Sequence, residues 1–439
     1  MMALLYRTRA LTAMVVSALA IATALVGPAP ASATTTVLVV DATQLNGVAC
    51  STSDTCYATG YSANYGGIYD PITTGGVTYG VSGTTQLDGI ACPTSTSCDA
   101  VGESGSLDLG VVALIPAGLF SAEATVSGTY QLYSVACPTS STCYAVGESS
   151  SGEWVVVPIT NGSPGTAAVI PGFGSLLGVG CPTSATCYAV GYNTPGEVVG
   201  YPVGYGSSGG VVVPITNGSP GTPVTVSGTY DLYGVACPTS GTCYAVGQNS
   251  SESEGVVVPI TNGSPGTPVT VSGTYDLYGV ACPTSGTCYA AGNNSSGEGV
   301  VVPVANGSLG TPVTISGTST FFGMTCPTSN TCYAVGVSSF GGGVAATITA
   351  TTTSTTVSSS ASPSTYGQSV TFTATVSPSD SSGTVAFYAD GSTIPITGCG
   401  SVALSLVSGV YQATCTTSSL GAGTHTVTAT YSGDSSYLT

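Results

Sequence analysis

Beyond Arg9 this chain contains no lysine and no arginine; Arg7 and Arg9 are its only two, set against 19 Asp and Glu. Such a chain cannot neutralise phosphates, which excludes nucleic acid as a natural partner and all but excludes anionic membrane surfaces. Trypsin finds nothing to cut past Arg9. Tryptophan and histidine occur once each, as Trp154 and His425. Imidazole chemistry of the Ser/His/Asp or Cys/His kind therefore has one candidate, and His425 lies in "GTHTVTAT", an alternating pattern that reads as a surface strand. The sequence offers no catalytic residue set, no metal ligands and no cofactor site. Trp154 starts a strand and has no partner pattern.

The two arginines precede the apolar run "ALTAMVVSALAIATALVG", and "PAPASA" then places small residues at Ala31 and Ala33. This is the pattern of a secretory signal peptide over residues 1–33, with cleavage expected after Ala33. An uncleaved membrane anchor is the rival reading, because the run is nearly long enough to span a bilayer. The rest of the chain is expected to be extracellular, secreted or attached to the cell surface.

Few charges, 62 glycines and abundant Ser and Thr would suit disorder, but Val, Ile, Leu and Tyr are too many and too periodic for that. Ordered β-structure is expected. Sixteen cysteines in an exported chain point to disulfides. Seven pairs share the form C-x5-C: Cys50 and Cys56, Cys92 and Cys98, Cys137 and Cys143, Cys181 and Cys187, Cys237 and Cys243, Cys282 and Cys288, Cys326 and Cys332. Structural zinc would need further thiolates or imidazoles near each pair, and that region has no histidine.

First cysteines recur at spacings of 42, 45, 44, 56, 45 and 44 residues. In a β-rich chain this period predicts propeller blades of four strands each. One unit reads "LYGVAC" strand, "PTSGT" turn, "CYAVG" strand, "QNSSESEG" loop, "VVVPIT" strand, "NGSPG" turn, "TPVTVSG" strand. Asn-Gly at Asn161, Asn217, Asn262 and Asn306 is a strong hairpin signal. The seventh unit lacks a fourth strand, while "TVLVVDATQLNGVAC" before the first unit aligns with "PVTVSGTYDLYGVAC". A leftover N-terminal strand thus fits the vacant place and closes the ring, which removes the free edges that an open solenoid would have to cap. Pro158, Pro214, Pro259 and Pro303 inside the third strand argue back, since a central proline forfeits a ladder bond. They mark either a bulge or an outer edge; in the second case the N-terminal strand would be innermost, without a swap.

The succession "L-x-G-V-x-C", "C-Y-A-V-G" and "T-N-G-S-P-G-T" resembles the seven-bladed propellers of the BNR/Asp-box kind, particularly the photosystem II assembly-factor type. Thr261, Asn262, Gly263, Gly266 and Thr267 resemble that family's S-x-D-x-G-x-T-W turn, with Asn for Asp and no Trp. The resemblance covers residues 34–350 and implies an architecture rather than a ligand. Residues 351–363 are Thr/Ser-rich and read as a solvated spacer. Over residues 364–439, "YGQSVTFTATVSP", "GTVAFYADGS" and "AGTHTVTATYSGDSSYL" resemble bacterial Ig-like repeats, a β-sandwich with alternating buried positions. There Cys399 and Cys415 are expected to pair across a local hairpin. The resemblance also implies a strand beyond Leu438, supplied by a partner or by sequence not present here. The fold class expected is all-β: a seven-bladed β-propeller followed by an incomplete Ig-like β-sandwich.

Sialidases share the Asp-box propeller but hold their substrate's carboxylate with an arginine cluster, which this chain cannot build. Paired carboxylates remain open to it, as in glycosidases. Glu103, Asp108, Glu148, Glu153, Glu197, Glu252, Glu254 and Glu298 all fall in or beside the loop after the second strand, on the face that carries "GTYDLY". They are either the few charges that keep a neutral surface soluble or a cation or glycan site. Tyr130, Tyr133, Tyr230, Tyr233, Tyr275 and Tyr278, with Phe321 and Phe322, either pack blade on blade or stack on sugar rings, the second of each Tyr pair being the expected core residue. The ligand face expected from these patterns is Glu148, Glu153, Glu252, Glu254, Glu298, Tyr230 and Tyr275. The expected protein is a monomeric, non-enzymatic binding or adhesion protein that meets an extracellular glycan or protein. A glycan-active hydrolase and a purely structural stalk are the alternatives.

Overall fold

The computed structural model describes residues 35–38, 41–73, 77–105, 108–116, 122–172, 174–194, 209–305, 307–349, 351–377, 383–392, 394–432 and 437–438. The expected signal peptide, Asn306 and Glu197 lie outside them. The described residues are strands and turns throughout, with no helix.

Between Thr35 and Thr349 the strands form seven antiparallel sheets of four or five strands, six of them one sequence unit each. The innermost strands are Gln44–Cys50, Thr84–Thr94, Thr129–Ala136, Leu176–Gly180, Thr229–Thr239, Asp276–Ala281 and Thr318–Thr328. Each lies beside the next, and the seventh lies beside the first, so the sheets form the blades of a closed propeller. The glycine of "L-x-G-V" makes this approach possible. A Cβ on Gly234 would lie 2.4 Å from the Tyr278 carbonyl of the next blade, and one on Gly323 would lie 2.6 Å from the Asn46 carbonyl, across the closure. Ser134 takes the glycine's place once, and its hydroxyl accepts from the Val179 N–H at 3.3 Å.

The N-terminal strand Thr35–Leu38 pairs antiparallel with Gly343–Thr349, Thr35 facing Thr347 and Leu38 facing Val344. The outermost strand of the last blade therefore comes from the opposite end of the array, and the prolines do not mark an edge. They mark a bulge. Trp154–Thr160 pairs with Ser163–Pro164 at one end and Ala168–Ile170 at the other, leaving Pro158 opposite a gap where no donor is missed. Its carbonyl accepts from Gly165 at 2.7 Å, and Pro214, Pro259 and Pro303 repeat the bond with Gly221, Gly266 and Gly310. Asn161, Asn217 and Asn262 adopt φ of 48°, 47° and 48°, each followed by a positive-φ glycine, as a two-residue I′ hairpin requires.

All seven C-x5-C pairs are disulfides with Cα atoms 3.9 Å apart, closing the hairpin between the first and second strands. They are also part of the core. Tyr57 packs in one cluster with Cys98, Tyr144 with Cys187, Tyr188 with Cys243, Tyr244 with Cys288, Tyr289 with Cys332 and Tyr333 with Cys56. The tyrosine of each "CYAVG" thus joins its blade to the disulfide of the next. Trp154, 4% exposed, donates from Nε1 to the Tyr192 carbonyl at 3.0 Å, tying the third blade to the fourth.

The C-terminal residues form a sandwich. One sheet orders Ser354–Ser359, Val370–Ser377, Val410–Thr417 and Ser405–Val407; the other orders Val402–Ala403, Thr384–Ala389 and Val427–Tyr431. Two expectations change here. The supposed spacer contributes a strand, because "STTVSS" alternates well enough for the partly buried Val357 to pack on the core. Cys399–Cys415 is a bridge between sheets rather than across a hairpin. The Cys399 carbonyl accepts from Phe387 in the second sheet, and Cys415 faces Phe372 in the first. Tyr437–Leu438 pairs parallel with Thr351–Thr352. His425 sits just ahead of its strand, with Nδ1 at 2.6 Å from Asp390 Oδ2 and Nε2 donating to the Gly421 carbonyl at 3.0 Å.

Candidate functional site at the mouth of the propeller channel

The loop after each second strand meets the turn that enters the inner strand. Gly105 N–H bonds the Gly83 carbonyl, Ser150 that of Gly128, Ser250 that of Gly228 and Ser339 that of Gly317. One face therefore carries both the acidic loops and the tyrosine turns. The turns are pinned from below by threonine: Thr129 Oγ1 donates to the Val126 carbonyl at 2.7 Å and accepts the Gly110 N–H at 3.0 Å, and Thr229 and Thr274 repeat the arrangement.

Just below this face the inner strand is bulged between Leu and Gly. Leu45, Leu87, Leu132, Leu176, Leu232, Leu277 and Phe321 go fully into the core between blades. The residues on either side of them meet across blades around the axis. The deeper ring is Asn46, Asp88, Tyr133, Leu177, Tyr233, Tyr278 and Phe322; the outer ring is Gln44, Gln86, Gln131, Ser175, Asp231, Asp276 and Thr320.

Two halves follow. On one side Asp88 gathers amides: Asn46 Nδ2 donates to Oδ1 at 3.0 Å, and Gln131 and Gln86 donate to Oδ2 at 2.8 and 3.3 Å. Burial pushes its carboxyl up to about 7 despite those donors. On the other side Tyr233 donates to Asp231 Oδ2 at 3.3 Å and Tyr278 to Asp276 Oδ2 at 3.0 Å. The rings of Tyr233 and Tyr278 lie 4.6 Å apart, and Tyr278 and Phe322 5.3 Å. Burial raises Asp231 to about 6 and also lifts Asp276. Burial and the adjoining carboxylates hold the Tyr133, Tyr233 and Tyr278 phenols well above the usual range. Between the halves, Ser175 donates to Glu148 Oε2 at 2.9 Å and lies 3.3 Å from the Tyr192 hydroxyl.

Of the ligand-face residues expected from the sequence, Glu148 joins this mouth, and Tyr230 and Tyr275 stand at its rim, each 38% exposed. Glu252 stands near enough for its charge to act on Asp231. Glu153 and Glu254 close the ends of their loops through their carbonyls. Glu298 is a loop fastener: Asn294 donates to its Oε2 at 3.1 Å. Sequence reading missed Asp88, Asp231, Asp276 and the glutamines. Their signal was positional, one residue to either side of the invariantly apolar Leu or Phe in each unit. No metal cage is preformed at the mouth. The one group of ligand atoms within 4.8 Å of one another among the described residues is Asp99, Cys137 and Cys143, whose sulfurs are joined as a disulfide.

Comparison with known proteins locates both modules. Residues 355–439 match the bacterial Ig-like domain family, group 3. The propeller superposes on U3-55K with a TM-score of 0.54 at 8% identity, covering 73% of this chain and 100% of that one. It matches the WD40 repeats of RRP9 at 0.53 and 9% identity, covering 73% and 99%, and the WD40 propeller domain of Doa1 at 0.50 and 12%, covering 72% and 97%. At these identities the likeness is one of fold. No curated protein matches the sequence. A disulfide-rich propeller followed by a bacterial Ig-like domain fits an extracellular or cell-surface protein with a binding or structural role.

Proposed function

We propose that the chain is an exported bacterial binding protein: a seven-bladed propeller of the Asp-box kind whose channel mouth meets an extracellular glycan or protein, carried on an Ig-like stalk. The observation that carries this reading is the mouth itself. Acidic, amide and phenol groups from six of the seven blades line it, partly or wholly buried and with Tyr230 and Tyr275 exposed at the rim, where a structural ring would need only apolar packing. The Arg7–Arg9 and Ala31–Ala33 pattern and the eight disulfides support export.

Cell fractionation, together with binding of the exported chain to arrays of surface glycans and surface proteins, tests it. Expected are an extracellular or wall fraction and saturable binding that Asp231→Ala weakens. A cytoplasmic location, or no binding at any concentration, would leave a stalk function in its place. Product release from a polysaccharide, lost in Glu252→Gln, would replace it with hydrolysis.

A further inference from the structure

We infer that the mouth accepts one basic side chain of a partner protein, a lysine ammonium or an arginine guanidinium, held between the Asp231 and Asp276 carboxylates and the rings of Tyr233 and Tyr278. The inference rests on the reading of this face as a binding face and names the chemistry of what it binds.

The unfilled bonds come first. Asp276 is 6% exposed; its Oδ2 has the Tyr278 hydroxyl, but its Oδ1 has no donor. Asn293, directly across the strand pair, also has an Oδ1 without a donor. Both vacancies are acceptors. A buried acceptor left unpaired is costly to the free protein, so a ligand that brings N–H groups recovers what the free protein forgoes.

Charge selects among such ligands. Asp276 and Glu252 act on Asp231, and in the other half Glu103 acts on Asp88 while Glu148 and Asp88 act on Tyr133, so each half of the mouth gathers three carboxylates. Among the described residues the only group able to turn positive is His425, in the Ig-like domain. The propeller has no counter-ion of its own to offer. The aromatic wall adds to the preference, since a cation beside the Tyr233 ring gains from the ring quadrupole while remaining next to the Asp231 carboxylate that this tyrosine bonds. No three acidic side chains of the mouth bring their oxygens within 4.8 Å of one another, as a cage for a small metal ion would. An extended cation bearing several N–H donors suits two carboxylates on neighbouring blades better.

The test titrates the exported full chain at low ionic strength and near-neutral pH with N-acetyl-lysine amide, N-acetyl-arginine amide, the neutral N-acetyl-norleucine amide and a panel of methyl glycosides. Heat and NMR shifts are the readouts. The cationic amides are expected to bind about tenfold or more tighter than norleucine amide, a difference of ~1.4 kcal/mol. Asp276→Asn and Asp231→Asn should each abolish that margin, Glu298→Gln should keep it, and added salt should erode it. Should Asp276→Asn fail to fold, Tyr278→Phe keeps the ring and frees Oδ2, and its binding of the cationic amides should be at least as tight as that of the parent. Equal binding of the cationic and neutral amides, undiminished binding by Asp276→Asn, or loss of binding in a folded Tyr278→Phe overturns the inference. A glycoside that binds in preference to the amides, sensitively to Asp231→Asn, also overturns it but leaves the binding face standing. Failure of every probe and of the array test removes both.

Discussion

Asp99 Oδ2 lies 3.3 Å from the Sγ of Cys143 in the next blade, at the place where the six other blades set a tyrosine against the disulfide that follows. A disulfide sulfur has no proton to give, and Asp99 Oδ1 has no donor either. The side chain is 2% exposed, and burial pushes its carboxyl up to about 6. Leu114, opposite Asp99 in the strand pair, packs at the turn glycine Gly162, as Tyr144 does at Gly218 and Tyr188 at Gly263.

A folded-state value above the ordinary 3.8 means that the native state binds the proton more tightly than the unfolded chain. The stability that Asp99 adds is therefore complete below about pH 4 and is lost as pH rises through about 6. A displacement of roughly two units is worth at most about 3 kcal/mol, and relaxation around a group near the blade's lower edge reduces this to about 1–2 kcal/mol. Asp99→Asn is expected to be more stable than the parent at pH 8 by about that amount and no more stable at pH 4. Urea melts at the two pH values check it; an equal difference at both would remove Asp99 as the cause.

The ring of close inner strands gives a ranking of glycines. An added Cβ at Gly323 meets the Asn46 carbonyl at 2.6 Å, whereas at Gly279 it meets backbone of the neighbouring blade at 3.0 Å. Gly323→Ala must part the innermost strands of the seventh and first blades. A loss of about 3 kcal/mol or more is expected for it, and a smaller one for Gly279→Ala. Chemical denaturation of both variants checks the order, and a larger loss at Gly279 would show that the closeness of the neighbouring carbonyl does not set the ranking.

The repeat period, the disulfide spacing and the Asn-Gly hairpins were legible because each is a local device with a fixed spacing in the chain. The swapped terminal strand was legible for the same reason, as an alignment of "TVLVV" with "PVTVS". Two other features were not. The channel mouth is built from residues a blade apart in sequence, and nothing local marks Asp88 as the acceptor of Gln131, 43 residues on. The Cys399–Cys415 bridge looked local because 16 residues separate its ends, whereas the strand between them crosses from one sheet to the other. The "STTVSS" strand was hidden by composition, since Ser and Thr serve an exposed edge as readily as a spacer.

Each C-x5-C disulfide closes a small loop, and all but Cys137–Cys143, which faces Asp99, also seat the preceding blade's tyrosine. Replacing Cys237 and Cys243 together by serine removes the loop constraint and also places hydroxyls where Tyr188 packs. A loss of about 2 kcal/mol is expected from the first cause alone, with more from the second. Replacement of the pair by alanine, which keeps the seat apolar, should fall between parent and serine variant. Denaturation midpoints that do not differ between the alanine and serine variants would show that the packing role is negligible.

His425 is the chain's one imidazole, so its titration is read by proton NMR without assignment. The hydrogen bond to Asp390, then that to Gly421, holds it above the ordinary 6.5, and the same contact holds Asp390 below 3.8. The sign runs in opposite directions for the two partners. The raised imidazole stabilises the Ig-like domain at low pH and loses its effect as pH climbs through its folded value; the lowered carboxylate stabilises it above its ordinary value and loses its effect as pH falls. The pair therefore contributes most between the ordinary values of 3.8 and 6.5. Asp390→Asn is expected to bring the imidazole titration back toward 6.5 and to remove the maximum from that window. Asp390 is exposed and His425 partly so, and high salt should therefore flatten the parent's profile toward that of the variant. An imidazole that titrates at the same pH in parent and variant would show that the 2.6 Å contact does not persist in solution.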